Sequence, residues 1–314
     1  MKDYLLITHT DLDGISPIIL MNLIEADFEY KSVDIKDLDQ TFDELYETEE
    51  IKNYKNIYVV DLSLTEHIYN LLKEHEQNNI LVFDHHATHL FANEYPFVTV
   101  AVELNGRKTC GTELFYNHLV KTNQILEKSN IKDYVELVRQ KDVYEFTSEK
   151  PKELEMLLNV YGKKDFIKSI TKRLKKDKEI LEFTAFEKRY LKITTESRER
   201  YISSREIRMK KYKIKGLTCG VLFAERYKDD IGNIISLNNP DLDCIIIINF
   251  AGGISYRTTR EDVNLSEFAS YFGGGGHVKA SGSSITDEFK DNIIKSYFEV
   301  PEQIIEEDQI IEEA

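Results

Sequence analysis

The chain has 314 residues, of which 41% are hydrophobic and 31% charged, and its formal net charge at pH 7 is −15. This composition is typical of a folded chain of two domains and excludes a disordered or fibrous protein. The negative charge argues against a general binder of long duplex nucleic acids, which needs many cationic contacts with phosphates. The three cysteines are far apart in sequence, so they indicate neither a disulfide framework nor a structural zinc site.

Hydropathy indicates no targeting or membrane segment. The N-terminus becomes polar by Thr8, too early for a secretory apolar core, and the longest apolar run, residues 244–250, has the length of a strand. We therefore expect a cytoplasmic protein without a membrane partner. The sequence does not predict the oligomeric state.

The first half alternates short apolar runs with helical patterns, which is typical of an α/β fold with a parallel sheet and crossover helices. The predicted strands cover residues 4–8, 57–60, 80–83 and 98–102. Ser16 and Pro17 suit the start of a helix that continues to Ile24.

Polar side chains follow the first three of these strands. Carboxyl ends of parallel strands meet at one edge of a sheet, where ligands bind, so we expect the side chains to converge there. If the first loop stays extended, side-chain alternation sends its imidazole and two carboxylates to one side. The residues are His9, Asp11 and Asp13 after the first strand, Asp61 after the second, and Asp84, His85 and His86 after the third.

Each motif also has an ordinary structural interpretation. The first loop could be an acidic surface turn, Asp61 a helix N-cap, and Asp142 merely an acid within a helix. Together they supply carboxylates and imidazoles for two adjacent divalent ions, a set that suits manganese, iron or zinc better than calcium. A pair of such ions promotes hydrolysis of phosphoesters.

The second half begins with a basic segment. Between Lys163 and Lys215 there are 19 Lys or Arg against 8 Asp or Glu, and apolar residues recur at helical spacing, so we predict one long helix over about 167–212. Strands are predicted at 217–223, 244–250 and 254–257, with a helix at 265–271. An acidic tail follows from about residue 302.

Four consecutive glycines, residues 273–276, precede His277. Such a run allows positive φ and exposes N–H groups to an anion, although a flexible linker is the alternative. Arg257 at the end of a predicted strand is either a guanidinium fork for phosphate or a surface residue.

The sequence resembles the DHH superfamily of phosphoesterases with a C-terminal DHHA1 domain. The motifs that carry the resemblance are His9-Thr-Asp-Leu-Asp-Gly14, Asp84-His85-His86 and Gly273-Gly-Gly-Gly-His277. The motifs span most of the chain in the family's order. The resemblance implies a DHH catalytic domain at 1–180, a connector helix at 181–215, a DHHA1 substrate-binding domain at 216–300 and the tail at 301–314. It also implies that the two domains face each other across a cleft.

The resemblance further implies two Mn²⁺ ions, with Mg²⁺ or Co²⁺ as substitutes. One would bind His9, Asp11 and Asp61, and the other would bind Asp13, Asp61, His85 and Asp142, so that Asp61 bridges. His86 would lie near the attacking water or the scissile phosphate, with Asp84 orienting a histidine. The implied substrate-binding residues are Arg257, Gly274, Gly275, Gly276 and His277.

The short His-x-Asp-x-Asp form of the first motif is similar to the exonuclease and NrnB-type oligoribonuclease branches. We therefore expect a manganese-dependent enzyme that hydrolyses short RNA oligonucleotides to nucleoside 5′-monophosphates. The alternatives are hydrolysis of a cyclic or linear dinucleotide or of 3′-phosphoadenosine 5′-phosphate. A nucleotide-binding regulatory module without turnover is disfavoured because every implied metal ligand is present.

Overall fold

The structure, a computed structural model, describes residues 1–74, 79–176 and 182–298. The chain divides into two compact units, residues 1–192 and 193–314. The predicted tail at 301–314 lies outside the described residues, as does residue 181, where the predicted connector begins. Each unit contains a sheet with helices, so the predicted α/β class is confirmed. No helix in the described part of the chain is long and apolar enough to cross a membrane.

The first unit is built on a five-stranded parallel sheet of order β2-β1-β3-β4-β5. The strand order reverses between β1 and β3, and in such sheets the crevice for ligands opens beyond the carboxyl ends at that point. The predicted strands are confirmed, but β2 was missed because this edge strand is half exposed and lacks an apolar run. The strands are β1 (Lys2–Thr8), β2 (Phe28–Ser32), β3 (Tyr54–Val60), β4 (Asn79–Asp84) and β5 (Val98–Val100).

Helices cover both faces of this sheet, because alternate residues of its buried strands point to opposite sides. Leu6 and Tyr58 pack into one core cluster with the helices α1, α4, α5 and α6, whereas Leu5 and Ile57 pack into another with α2 and α3. The helices are α1 (Leu12–Met21), α2 (Leu38–Glu47), α3 (Glu66–Glu74), α4 (Gly111–Lys121), α5 (Ser129–Asp142) and α6 (Lys150–Lys175). A small hairpin of β6 (Glu103–Leu104) and β7 (Arg107–Lys108) precedes α4, and short 3₁₀ helices cover Ile35–Asp37, Glu50–Asn53 and Ala87–Glu94.

The first helix begins four residues earlier than predicted, at Leu12, and Pro17 lies inside it. The Asp11 carboxylate accepts a hydrogen bond from the Gly14 N–H at 2.9 Å and so caps the helix N-terminus. The prediction of a helix starting at Ser16 and ending at Ile24 is therefore wrong at both ends, since the last helical residue is Met21.

The prediction of a single helix over 167–212 is also wrong. The helix α6 ends at Lys175, α7 (Ala185–Ile207) is a separate helix, and β8 (Lys210–Ile214) is a strand. Three of the five residues of β8 are lysines and the strand has no buried residue, so its pairing with β9 makes it extended. The sequence did not show this change from helix to strand, because the basic composition continues from α7 into β8.

The second unit contains a six-stranded mixed sheet of order β12-β13-β11-β10-β9-β8, in which only the pair β9 and β10 is parallel. Its apolar residues pack in two clusters, one with α8 and one with α9. The elements after β8 are β9 (Leu217–Phe223), α8 (Lys228–Asn238), β10 (Cys244–Asn249), β11 (Gly253–Arg257), α9 (Leu265–Ser270), β12 (Gly275–Gly276), β13 (Ala280–Ser283) and α10 (Asp287–Phe298).

Candidate active site

Polar residues from three strand ends meet beyond the carboxyl edge of the first sheet. His9, after β1, places Nδ1 3.3 Å from Asp11 Oδ2 and 3.8 Å from Asp61 Oδ2. Asp61 directly follows β3, so two neighbouring parallel strands supply these groups. His9, Asp11 and Asp61 form one set of donor atoms close enough together to hold a metal ion.

A second set lies on the other side of Asp61. His85 Nε2 is 3.3 Å from Asp61 Oδ1, 3.4 Å from Asp142 Oδ2 and 3.9 Å from Asp13 Oδ2. Asp142 is the last residue of α5. Asp13, His85 and Asp142 form another candidate set, and a third set combines Asp61, His85 and His86.

The backbone turn at Asp61 directs its carboxylate into this cluster. Its φ is +58°, a left-handed conformation that non-glycine residues rarely adopt, and its N–H donates to Phe83 O at 2.9 Å. The first residue of α4, Gly111, lies against Asp61: a Cβ built there would be 2.8 Å from Asp61 Cβ. The close approach of α4 therefore requires glycine at this position.

The helix α4 holds Asp13 in place. Its first two N–H groups, from Gly111 and Thr112, donate to the two carboxylate oxygens of Asp13 at 2.7 and 2.9 Å, and Thr112 Oγ1 donates to Asp13 O at 2.7 Å. A helix N-terminus stabilises a carboxylate in this position. The sequence analysis missed Gly111 and Thr112. A Gly-Thr pair at the start of a helix could have indicated N–H groups available to bind a carboxylate.

The alternation argument for the first motif does not apply, because the loop is not extended through Asp13. That residue lies in the first turn of α1. The three side chains nevertheless point into one cluster, because Asp11 caps the helix while α4 orients Asp13. The predicted meeting of His9, Asp11 and Asp13 is found, but for a different physical reason.

The cluster concentrates negative charge in a buried place. Burial, together with the charges of Asp13 and Asp11, raises the pKa of Asp61 well above its usual value and that of Asp142 to about 8. Asp61 Oδ2 and Asp142 Oδ2 are buried oxygens without a hydrogen-bond partner in the structure. Buried, unpartnered carboxylate oxygens are costly unless they bind a cation, so these residues fit a divalent metal.

Asp84 and His86 form a hydrogen-bonded pair beside the cluster. Asp84 Oδ1 lies 2.7 Å from His86 Nδ1 and also accepts from the His85 N–H at 2.8 Å, while Ser63 Oγ donates to Oδ2 at 2.9 Å. The hydrogen bond that the Asp84 carboxylate accepts raises the pKa of His86. Burial lowers the pKa of His85. Asp84 thus contacts both histidines and fixes the ring of His86.

In the second unit, the glycine run and Arg257 line a cleft of about 420 Å³. A Cβ at Gly274 would lie 2.1 Å from Gly282 O, and Gly276 has a φ of +136°, so both positions require glycine for close pairing with β13. The N–H groups of Gly273 and Gly274 donate to carbonyls near the end of α9. These two donors are therefore occupied within the protein, unlike the exposed donors that the sequence predicts.

The other two residues predicted to bind substrate, Arg257 and His277, lie in the glycine cleft and directly after the glycine run, respectively. Arg257 lines the cleft, but its Nε and Nη2 donate to Asp229 and its Nη1 donates to the carbonyls of Tyr256 and Ser281. His277 is exposed and begins the turn between β12 and β13, where its N–H donates to Ala280 O at 2.9 Å. The guanidinium fork is thus already paired, and His277 belongs to a hairpin at the end of the glycine run.

Comparison with known proteins relates this arrangement to nucleases. No protein-family model matches the chain. Oligoribonuclease NrnB of Bacillus subtilis is 31% identical over 308 residues, which cover 95% of this chain and 76% of that protein. The pGpG-specific phosphodiesterase PggH of Vibrio cholerae has a similar fold, with a TM-score of 0.57, 18% identity, and coverage of 95% of this chain and 98% of that one.

A third similar fold is that of RecJ from Thermus thermophilus, solved in complex with Mn²⁺. Its TM-score is 0.52 at 15% identity, with coverage of 96% of this chain and 52% of that one. These two structural similarities agree with the observed fold, and the identity to NrnB extends along nearly the whole chain. The chain therefore belongs to the DHH superfamily of phosphoesterases, in the family of oligoribonuclease NrnB, and it is a phosphoesterase.

Proposed function

We propose that this protein is a manganese-dependent phosphodiesterase that hydrolyses short RNA oligonucleotides to nucleoside 5′-monophosphates by a two-metal mechanism. The observation that carries the proposal is the position of Asp61 between two sets of donor atoms. Its Oδ2 faces His9, and its Oδ1 faces His85. One carboxylate therefore has an oxygen available to each of two neighbouring ions.

Under this proposal, His9, Asp11 and Asp61 hold one ion, and Asp13, Asp61, His85 and Asp142 hold the other. The mixture of carboxylate oxygens and imidazole nitrogens suits Mn²⁺, with Mg²⁺ or Co²⁺ as substitutes. When bound, such a pair polarises the phosphoryl group and activates water for attack. The unpartnered oxygens of Asp61 and Asp142 support this assignment, since a cation would supply the contacts they lack.

The remaining proposed catalytic groups are Asp84 and His86. Asp84 accepts the hydrogen at Nδ1 of His86 and thereby fixes the tautomer and the orientation of the ring. The raised pKa of His86 favours its protonated form, in which Nε2 also carries a proton. We assign that proton to a hydrogen bond with the phosphate oxygen that becomes more negative during hydrolysis.

Short RNA is the proposed substrate for two reasons. The identity to a protein named oligoribonuclease covers 95% of this chain. The net charge of −15 also disfavours long polyanions, because such ligands gain affinity mainly from many contacts with cationic side chains. A substrate of a few nucleotides needs a cleft with only a few phosphate contacts.

The test is incubation of the purified chain with MnCl₂ and 5′-labelled RNAs of two to five nucleotides. We expect nucleoside 5′-monophosphates, and we expect Asp61→Ala to release none above background. The same assay with pGpG, a cyclic dinucleotide, 3′-phosphoadenosine 5′-phosphate and DNA separates the alternatives. Intact RNA beside a hydrolysed small nucleotide would reject RNA as the substrate, and activity in excess chelator would reject the metal requirement.

A further inference from the structure

Two exposed phenylalanines stack on each other at one end of the second sheet. The rings of Phe223 and Phe250 lie 5.8 Å apart at an interplanar angle of 16°, and the residues are 55% and 42% exposed. Phe223 is the last residue of β9 and pairs with Ile248 of the parallel strand β10, and Phe250 directly follows the end of β10. Pairing of the strands therefore aligns the rings, although water reaches both of them.

Cationic residues occur close to this pair in the sequence or contact its backbone. Arg205 Nη1 donates to Phe223 O at 3.5 Å, and the guanidinium groups of Arg205 and Arg226 lie 4.7 and 5.3 Å from the ring centre of Tyr201. Lys228 follows two residues after Arg226. Within residues 182–298, neither Arg226 nor Lys228 forms an ion pair with a carboxylate.

Three acidic residues occur in the same stretch, and two of them are paired. Asp229 binds Arg257, and Asp230 lies 3.4 Å from Arg198. Glu225 is exposed, and its backbone N–H donates to the hydroxyl oxygen of Tyr201 at 3.1 Å. The three cations Arg205, Arg226 and Lys228 therefore outnumber Glu225, the one carboxylate of residues 225–230 for which the structure shows no ion pair.

The ring pair adjoins the glycine cleft. Lys228 and Gly252 both line that cleft, and Phe250 precedes Gly252 by two residues, which is a chain distance of at most about 7 Å. The cleft volume of about 420 Å³ lies within the range of small-ligand sites. An anion near Lys228 and a flat ring on Phe250 would thus occupy neighbouring positions.

We propose that Phe223 and Phe250 form a stacking platform for one nucleobase of the oligonucleotide, next to a phosphate in the glycine cleft. The inference rests on the proposed function in that it takes the ligand to be a short RNA. Aromatic side chains beside a cationic groove bind single strands in this way, and because every base has a π face they do so with little base preference. The platform would let the enzyme accept RNAs of any sequence.

The test is calorimetric binding of pentanucleotide RNAs to the full chain in EDTA, where hydrolysis does not consume the ligand. Phe250→Ala and Phe250→Leu are expected to weaken binding about tenfold, because both remove the ring on which a base can stack, and Phe250→Trp is expected to restore it. The matched control is Phe289→Ala, which removes a 51% exposed ring on α10 and should leave the affinity unchanged.

A series of five pentanucleotides, each with a single abasic position, identifies the stacked base. For one of them, wild-type and Phe250→Ala proteins should bind equally, since the ring has lost its partner. An equal loss with all five ligands would mean that Phe250 only supports the fold, and no loss with any ligand would place the base elsewhere. Either result overturns the platform.

Kinetics in MnCl₂ separate this inference from the proposed function. If RNA is hydrolysed, Phe250→Ala should raise KM about tenfold with little change in kcat, in line with the stacking energy. Hydrolysis with an unchanged KM overturns the platform and leaves the proposed function intact. Ring-dependent binding without hydrolysis under any metal retains the platform and rejects the proposed function.

Discussion

The acidic cluster of the first unit and the glycine cleft of the second unit use different chemical groups. The cluster consists of carboxylate and imidazole side chains. Burial and neighbouring carboxylates raise the pKa of Asp61 and Asp142, and each of these two carboxylates has a buried oxygen without a hydrogen-bond partner in the structure. The cleft is lined mainly by glycine, serine and alanine, and its half-buried cation, Arg257, has protein partners for its donors.

This difference indicates that the cluster and the cleft have different roles. Repelling carboxylates are unfavourable by themselves and become favourable with a cation, so the cluster suits metal binding and chemistry. The paired residues of the cleft need no ligand to be stable and offer a shape in which a phosphate can sit. We therefore expect changes in the cluster to act on turnover and changes in the cleft to act on affinity.

The largest effect is expected for Asp61→Ala. Removal of groups that merely orient metal ligands commonly lowers metal affinity or activity 10- to 100-fold, and Asp61 contacts both donor sets, so kcat should fall by about a hundredfold or more. Single-turnover hydrolysis of a labelled RNA measures the effect. A kcat equal to that of the wild type would contradict the bridging assignment.

A loss of about 10- to 100-fold in kcat is expected for Asp84→Asn, with KM nearly unchanged. The amide is a poorer acceptor for His86 Nδ1 and leaves the ring less firmly oriented. Ser63→Ala is the matched control, because it removes only the hydrogen bond to the other oxygen of Asp84. If both variants lose the same activity, the His86 contact has no special role.

Gly111→Ala should lower metal affinity and kcat about tenfold, since its Cβ would press on Asp61 and on the Asp13 carboxylate. Alanine favours a helix over glycine, so a loss of activity would come from the cluster and not from unfolding of α4. Gly275→Ala is the control for Mn²⁺ affinity alone, because Gly275 belongs to the second unit and no atom lies within 4 Å of a Cβ at that position. Thermal unfolding and Mn²⁺ titration measure the two effects.

Arg257→Ala should act mainly on affinity and raise KM about fivefold, as is typical for the loss of one or two hydrogen bonds that shape a site. Asp229→Asn sharpens the interpretation, because it removes the charge that now pairs with the guanidinium. A lower KM in Asp229→Asn would mean that the released arginine contacts phosphate. A higher KM would mean that the ion pair itself maintains the cleft.

The smallest expected effect is on stability. Asp142 has a pKa of about 8 in the folded state against 3.8 as a free side chain, so the metal-free folded protein retains a proton that the unfolded chain releases. The contribution of protonated Asp142 to the free energy of unfolding is complete below pH 3.8 and is lost as the pH rises through 8. In EDTA, Asp142→Asn should therefore exceed the wild type in Tm at pH 8 by a few degrees, at about 2–4 °C per kcal/mol. Equal values at pH 8 would contradict the raised pKa.

The sequence alone determined the parallel sheet and the identity of the clustered residues. Unbroken apolar runs such as Ile57–Val60 form buried strands in any α/β arrangement, and polar residues directly after them must lie at the carboxyl edge. The meeting of His9, Asp61 and His85 was therefore predictable from the strand ends. The glycine run was predicted to expose N–H groups to an anion; in the structure Gly274 packs closely against Gly282 O, and the N–H groups of Gly273 and Gly274 donate to carbonyls of the protein.

Only the tertiary structure decided how these groups are held. The orientation of Asp13 depends on the N-terminus of α4, nearly 100 residues away in sequence, and Arg257 is paired because α8 brings Asp229 beside it. Local pattern also failed at β8, whose extended conformation comes from pairing with β9. Periodicity in the sequence indicates which face of a helix or strand is buried. Contacts between distant segments depend instead on the packing of the whole unit. Those contacts determine the hydrogen bonds and the protonation of the residues in the site.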